Sequence, residues 1–562
     1  MHHHLTLRSK LIIMISVMAS LFLVALDQTI IATALGKIVE QFNAFDSLSW
    51  IITAYLVTTT ITVPIAGKLS DLFGRRTMLL IGVAVFTIGS LLSGLSGNIT
   101  QLILWRALQG IGGGIITANA FTIVGDLFAA RERGKWQGLI GAVFGLSSVV
   151  GPLLGGWLTD GQHVLNLVTN WRWTFFINVP VGIAAFILIF TYSPAFRHAL
   201  KHKIDYLGAG VLALGLATLI FAVDNTETIF AGFLSATGMS VVLLKAIMFT
   251  FVAAMVALFV FVERRAQQPI LPPHFFKNRN FVLIMAVATL FGAAFMGSIL
   301  YLTQFNQQVF GATPTQSGLM LLPMVGGIMV SSIGAGQIIS RIGKYKIFMQ
   351  VGFVVATIAM FLLSLLTPEI GYGYEAIIMV ILGLGMGVAM PVINLAVQNE
   401  FEQSELGAAT SSSQLFRSLG STIGTAVFGA MLTAGIVAHL GNIQDSAYIQ
   451  TLKKSPAASK IGDFTDANTI LNLNMPDTKG VITSAAQQSF QAIPEPMRDV
   501  VAKNFKSQQD AFASTVTHAF SASLGRIFVT AAGFMIVATI GVFALKERAL
   551  RAAKPDETPG EE

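Results

Sequence analysis

An all-helical, polytopic membrane protein is the fold class that the sequence predicts, on three observations. Of the 562 residues, 54% are hydrophobic and 11% charged, whereas soluble domains carry about 25% charged residues. One unit repeats along the chain, an apolar run of roughly 20 residues closed by a short polar or basic connector, and this is the length at which a helix crosses about 30 Å of hydrocarbon. The lysines and arginines also gather in alternate connectors, as they do where loops on one side of a membrane are kept there by positive charge.

Taken in order, the apolar stretches place about fourteen spans near 11–33, 48–66, 77–95, 102–125, 136–158, 173–193, 206–224, 240–262, 281–303, 315–339, 347–367, 374–397, 409–438 and 522–545. The first is too long for the apolar region of a signal peptide and is followed by many more spans, so it reads as a transmembrane helix. If the N-terminus is cytoplasmic, about 22 of the 35 Lys and Arg fall on the cytoplasmic side. They include Arg8 and Lys10, Lys68, Arg75 and Arg76, Arg131, Arg133 and Lys135, and Arg341, Lys344 and Lys346. Both termini are then cytoplasmic.

One connector is long. The polar stretch 441–521 lies outside under this topology, and its second half, with spaced Val, Phe and Ala, predicts a surface helix or helical hairpin leading into the last span. It reads as a packing cap over the outside mouth. The formal charge of +7 does not point to nucleic acid, because the basic residues are spread among membrane connectors. Cysteine is absent, which removes disulfides and thiolate metal sites. No nucleotide-binding Gly-x4-Gly-Lys-Ser/Thr loop, His-Glu-x-x-His helix or metal-ligand spacing occurs, so the chain reads as neither an enzyme nor an ATP-driven pump, with no cofactor and no metal.

An internal repeat is visible. Gly67-Lys-Leu-Ser-Asp71-Leu-Phe-Gly74-Arg75-Arg76 returns in degraded form as Gly336-Gln-Ile-Ile-Ser-Arg-Ile-Gly343-Lys-Tyr345, an offset of 269 residues. Gly134 and Gly151 align with Gly407 and Gly424 at an offset of 273. Parallel halves of this kind hold a substrate site at their interface, near the middle of the membrane.

Charges inside spans are costly, so each is a functional candidate. Asp27, two-thirds of the way along the first span, is the candidate for proton coupling or substrate contact. Its bland alternative is an acid bonded to Thr29 and neighbouring helices. Arg106, one turn into the fourth span, is fixed positive and cannot titrate. It either tunes a nearby acid or simply bonds to carbonyls. In the connector 67–76, Gly67 and Gly74 allow a close turn, and Asp126 at the inner end of the fourth span is a partner for Arg75. Such a cluster forms when one side is shut and breaks when it opens; otherwise it is a topology anchor. Asp224 reads as solvated. Arg417 is expected to snorkel to the inner surface near Glu400, Glu402 and Glu405. Asn178, Gln304, Asn306, Gln308 and Asn394 are polar groups near span ends that can line a path. Gly141 with Gly145, and Gly151 with Gly155, have the four-residue spacing at which helix backbones approach closely, while Pro152 allows a kink. The 41 Phe and 21 Met suit an adaptable apolar cavity.

The connector Gly67 to Arg76 resembles the signature loop of the major facilitator superfamily. Leu104-Trp-Arg106-Ala-Leu-Gln-Gly110 resembles that family's fourth-helix motif, and Gly141 to Gly145 with Gly151-Pro152-Leu-Leu-Gly155-Gly156 resembles its antiporter motif. Leu26-Asp27-Gln-Thr29-Ile-Ile and Trp171 to Gly182 are similar to features of the 14-helix drug:proton antiporters. The resemblance implies two six-helix bundles, 1–200 and 271–562, joined by two additional helices within 201–270. It implies a monomeric multidrug efflux transporter of the cell membrane that alternates access and exchanges protons for lipophilic small molecules. The same fold moving a lipid, siderophore or metabolite is the second reading, and a receptor or membrane enzyme the remote one. Acidic residues that some of these exporters carry in the tenth and thirteenth spans are missing from both spans here.

Overall fold

The protein is described by a computed structural model covering residues 6–42, 48–159, 163–164, 167–193, 204–223, 226–440, 443–453, 464, 467–491 and 494–550. Asp224 lies outside the described residues. Fourteen helices among them are long and apolar enough to cross a membrane. We number these α1 (Leu7–Phe42), α2 (Leu48–Phe73), α3 (Arg75–Leu95), α4 (Ile99–Leu127), α5 (Ala130–Thr159), α6 (Asn178–Tyr192) and α7 (Tyr206–Val223). The series continues with α8 (Val241–Glu263), α9 (Arg279–Val309), α10 (Leu322–Ile342), α11 (Lys346–Leu363), α12 (Tyr372–Glu400), α13 (Leu406–Leu440) and α14 (Glu495–Ala544).

Two spans are broken where a single helix was expected. A short helix, Trp173–Phe176, precedes α6, and another, Pro314–Met320, precedes α10. Pro323 sits in the first turn of α10, where its missing N–H costs nothing because that donor has no helical partner.

Within the first six helices, α1 packs on α5 and α6, α2 on α4, and α3 on α4 and α6. Within the last six the same pattern returns: α9 packs on α13 and α14, α10 on α12, and α11 on α12 and α14. Helices α7 and α8 pack on each other at the side of α2. Val242, Leu243 and Ile247 of α8 are exposed, as are Ile536 and Ile540 of α14 and Ile347 and Val351 of α11. Exposed apolar faces of this extent fit acyl chains rather than water.

The two sets of six meet through α5 on α10 and α2 on α13. The aligned glycines sit at these crossings. A methyl group at Gly134 would stand 3.0 Å from the Gly336 carbonyl oxygen, and one at Gly67 would stand 2.8 Å from that of Gly407. The repeat offsets thus convert one contact into the other. Gly74 and Gly343, also aligned, both have positive φ, at 93° and 75°, in the turns that follow α2 and α10.

The second half of the long connector is not a helix separate from the last span. Instead α14 is one helix of 50 residues, about 75 Å long at 1.5 Å per residue. Its first half carries the shorter helices Ala447–Lys453, Ala467–Asn474 and Pro476–Phe490. Phe505 and Phe512 pack on Tyr448, whose hydroxyl accepts from Gln509 at 3.1 Å. Asn474 donates to the Gln308 side chain at 2.8 Å, and Ser521 donates to the Leu366 carbonyl, which ties this cap to α9 and to the end of α11.

Gly336 and Gly334 share one helix but not one environment, since a methyl group at Gly334 meets nothing within 4 Å. Gly336→Leu is expected to lower stability by about 1–3 kcal/mol through overpacking, while Gly334→Leu leaves it unchanged or higher because Gly is the poorer helix former. Thermal unfolding of the purified variants measures the difference.

Candidate functional site

A cavity lies between the two sets of six helices. From the first come Ala25, Gln28 and Thr29 of α1 and Gly141, Phe144, Gly145, Ser147 and Ser148 of α5. From the second come Phe291, Phe295, Met296 and Ile299 of α9, Met324, Val325 and Ile328 of α10, and Met386, Gly387 and Met390 of α12. Three phenylalanines and four methionines therefore face one another, with a few hydroxyls and one amide, and no charged side chain is in this wall. Phenyl faces and thioethers adapt to many apolar shapes.

The α5 glycines serve two neighbours. Gly141 and Gly145 line the cavity and face α10, where Ser332 donates to the Gly138 carbonyl at 2.8 Å. Gly151 faces α1 at Thr29, whose hydroxyl donates to the Ser147 carbonyl at 3.0 Å, so Thr29 bonds to α5 and not to Asp27. Pro152 stays within α5, its ring beside Gly318, and Gly155 is buried.

Asp27 follows the same helix but points away from the cavity, into the first set of helices. It forms an ion pair with Arg106 of α4. Gln109 donates to its other oxygen at 2.8 Å, and Asn178 reaches the same oxygen at 3.5 Å. Arg106 also donates to the Ile51 carbonyl at 3.3 Å and lies 4.3 Å above the Tyr55 ring. Asp27 is 0% and Arg106 1% exposed. The acid and its partner, 79 positions apart, are thus sealed together one residue from the cavity-lining Gln28.

On the face where both termini lie, a second cluster joins the halves. Arg75 pairs with Asp71 and with Asp126, the latter at 2.8 Å. Asp71 also accepts from the backbone N–H groups of Gly407 and Ala408, at 3.0 and 2.9 Å. These are first-turn donors of α13, with no partner inside their own helix, and the helix dipole favours a carboxylate there. Arg76 is not part of the cluster; it donates to the Phe190 carbonyl at the end of α6. Nearby, Gln398 of α12 donates to the Phe121 carbonyl of α4 at 2.9 Å. This face is closed.

Several polar residues expected along a path are elsewhere. Among Asn178, Gln304, Asn306, Gln308 and Asn394, none is in the cavity wall. Asn178 joins Asp27, Gln308 holds the cap, Gln304 is partly exposed on α9, and Asn394 accepts from Ser413 and Gln414 at 2.9 and 3.0 Å. Asn178, Gln308 and Asn394 bond within a bundle or to the cap, which a position near a span end does not reveal. Arg417 does not reach the surface cluster either. Glu400 instead takes Asn278, Asn280 and Arg548, and Glu405 takes His274.

Sequence reasoning missed one group, Glu375. Three residues into α12 and 0% exposed, it lies 3.0 Å from the Asn306 amide, whose nitrogen donates to both carboxylate oxygens. It stands at the start of a span, and in the sequence only its being an acid beside an apolar run marks it.

The family model described as Major Facilitator Superfamily matches residues 17–425. The chain belongs to the Major Facilitator Superfamily. The "Multidrug transporter protein MdtP" of Bacillus subtilis (strain 168) is 35% identical over 440 residues, 78% of this chain and 77% of that protein. "Multidrug resistance protein 3" of the same organism is 34% identical over 453 residues, 80% of this chain and 85% of that protein. The solved structure of the proton:xylose symporter XylE shares the fold at a TM-score of 0.55 and 16% identity, covering 77% of this chain and 91% of that one. The fold is that of a 14-helix transporter of this superfamily, a multi-pass membrane protein and not an enzyme.

Asp71→Asn weakens a charge-assisted cap across the halves, which is worth about 1–2 kcal/mol. Because the chain has no cysteine, Ser411→Cys, buried against Gly67, gives a clean reporter. Its alkylation rate is expected to rise by about 5- to 30-fold when Asp71→Asn is added, that being the factor for 1–2 kcal/mol.

Proposed function

We propose that the protein is a proton-driven exporter of small amphipathic or lipophilic compounds, working in the cell membrane with both termini cytoplasmic. The observation that carries this reading is the cavity between the halves, rich in Phe and Met, beside a sealed Asp27–Arg106 pair and shut on the terminal face. The names of the two Bacillus relatives agree with it. The basic connectors on the terminal face support the orientation.

In this mechanism Asp27 holds Arg106 while ionised. A proton arriving from outside neutralises the carboxylate and releases the guanidinium, which retains the amide of Gln109, the Ile51 carbonyl and the Tyr55 ring. Helix α1 carries both Asp27 and the cavity residues Gln28 and Thr29, so a shift of α1 against α4 alters the cavity wall. Protonation and substrate therefore act on one element, which is what exchange requires. Opening of the terminal face breaks the cap of Asp71 on α13, and the halves rock around the cavity. Neither step needs a cofactor beyond the proton gradient.

A second acid, Glu375, competes for the coupling role because it is wholly buried with Asn306 as its one polar partner among the described residues. Both are tested in proteoliposomes of the full chain with an imposed pH gradient and the dye Hoechst 33342. Asp27→Asn is expected to lose gradient-driven accumulation by about tenfold or more, each tenfold being 1.4 kcal/mol, and to keep downhill movement. Glu375→Gln is expected to accumulate dye as wild type does. The opposite pattern moves coupling to Glu375, and wild type that ignores the gradient ends the proton-driven reading.

A further inference from the structure

The buried arginines Arg75 and Arg106 and the half-buried Arg133 are accounted for, whereas the half-buried Arg417 is not. Arg75 has Asp71 and Asp126, Arg106 has Asp27, and Arg133 donates to the carbonyls of Gly125 and Phe128. Arg417 differs. It lies eleven residues inside α13, and no carboxylate stands within 4 Å of it among the described residues. Its side chain donates to the Gln414 amide oxygen at 2.6 Å and to the thioether sulfur of Met390 at 3.4 Å. Five N–H donors and a fixed charge are thus met by one amide and one weak acceptor. In a membrane interior an uncompensated guanidinium costs several kcal/mol, so an arginine kept there without a counter-ion has a use for an anion.

Its position says which anion. The guanidinium lies 5.8 Å from the Phe144 ring, and Phe144 and Met390 both form the cavity wall. Under the repeat offset of 273, Phe144 and Arg417 are equivalent positions of the two halves, so their meeting puts the charge where the halves face each other. Gln414 gives its N–H to Asn394 at 3.0 Å, which leaves its oxygen turned to Arg417 and orients the fork. No acidic side chain lines the cavity to favour a cation.

Resting on the reading of this cavity as the substrate site, we propose that Arg417 is a specificity residue that binds an acidic group, a carboxylate or sulfonate, on an amphipathic substrate. The apolar body of that substrate lies against Phe144, Phe291, Phe295 and Met390. A planar guanidinium grips a carboxylate through two parallel N–H donors, which an ammonium cannot do.

The test is equilibrium binding of dansylglycine and of its methyl ester to the full chain in nanodiscs, followed by dansyl fluorescence. Wild type is expected to bind the acid about tenfold more tightly than the ester, a difference of 1.4 kcal/mol. Arg417→Gln is expected to bring that ratio to about one with ester affinity held, and Arg417→Lys to give an intermediate ratio. An unchanged ratio in Arg417→Gln, or wild type that binds acid and ester alike, overturns the proposal. Should Arg417→Gln fail to fold, Arg417→Lys decides the matter, because a ratio equal to that of wild type overturns the proposal equally. Transport separates this inference from the export reading: wild type that pumps Hoechst 33342 but shows no acid preference overturns only the role of Arg417. Wild type with an Arg417-dependent preference and no gradient-driven transport overturns only the export reading.

Discussion

Backbone-to-backbone approach at Gly134 with Gly336, and at Gly67 with Gly407, is the constraint on which the rest of this molecule depends. In lipid the two halves gain little from hiding apolar surface, since acyl chains are as apolar as leucine, and association falls to close packing and hydrogen bonds. Small residues make that packing possible at these two of the crossings where the halves touch. Side chains larger than hydrogen at these four positions would spread the crossings, and Asp71 would then lose the first turn of α13. The cavity wall would separate along the same line, because Gly141 and Gly145 belong to the α5 face that meets α10.

The charged groups divide into those that hold and those that are held. Asp71, Arg75 and Asp126 join the halves, and by the 269 offset the position of Asp71 is occupied by Ser340 in the second half, so among the described residues the carboxylate cap exists at one of these two crossings. Asp27 and Arg106 belong wholly to the first half and are insulated by Tyr55, Gln109 and Asn178. Among the described residues, the second half keeps Arg417 without an acid and Glu375 without a base. Deep within the helices, a duplicated scaffold has thereby acquired different electrostatics in each copy, an Asp–Arg pair in the first and a lone arginine and a lone acid in the second, whose ion pairs Glu400–Arg548 and Glu405–His274 lie at its end.

Much of this was legible from the chain. Span count follows from apolar length, and the repeat offsets named residues that touch across the halves. The family motifs led to Asp27, Arg106 and the connector 67–76. What stayed hidden was direction. Asn178, Asn394 and Gln308 are polar residues near span ends, and whether such a group turns to a cavity, a neighbouring helix or a cap depends on helix rotation, which a single apolar run leaves open. Arg417 was misjudged for the same reason, because a long side chain near a helix start can snorkel, and only its neighbours Gln414, Met390 and Phe144 show that it does not. Glu375 was passed over at the first turn of α12, although an acid adjoining apolar residues was signal enough.

The unbroken course of α14 has a mechanical consequence. Of its length of about 75 Å, about 45 Å lies beyond a 30 Å hydrocarbon layer. The cap it bears is fastened through Gln308 and Ser521 to α9 and α11, so mast and cap sway with a single half. A tilt of about 10° at its base would sweep the tip through about 8 Å, as for any rigid-body rotation, which turns a small rearrangement within the bilayer into a large displacement in the water beyond it.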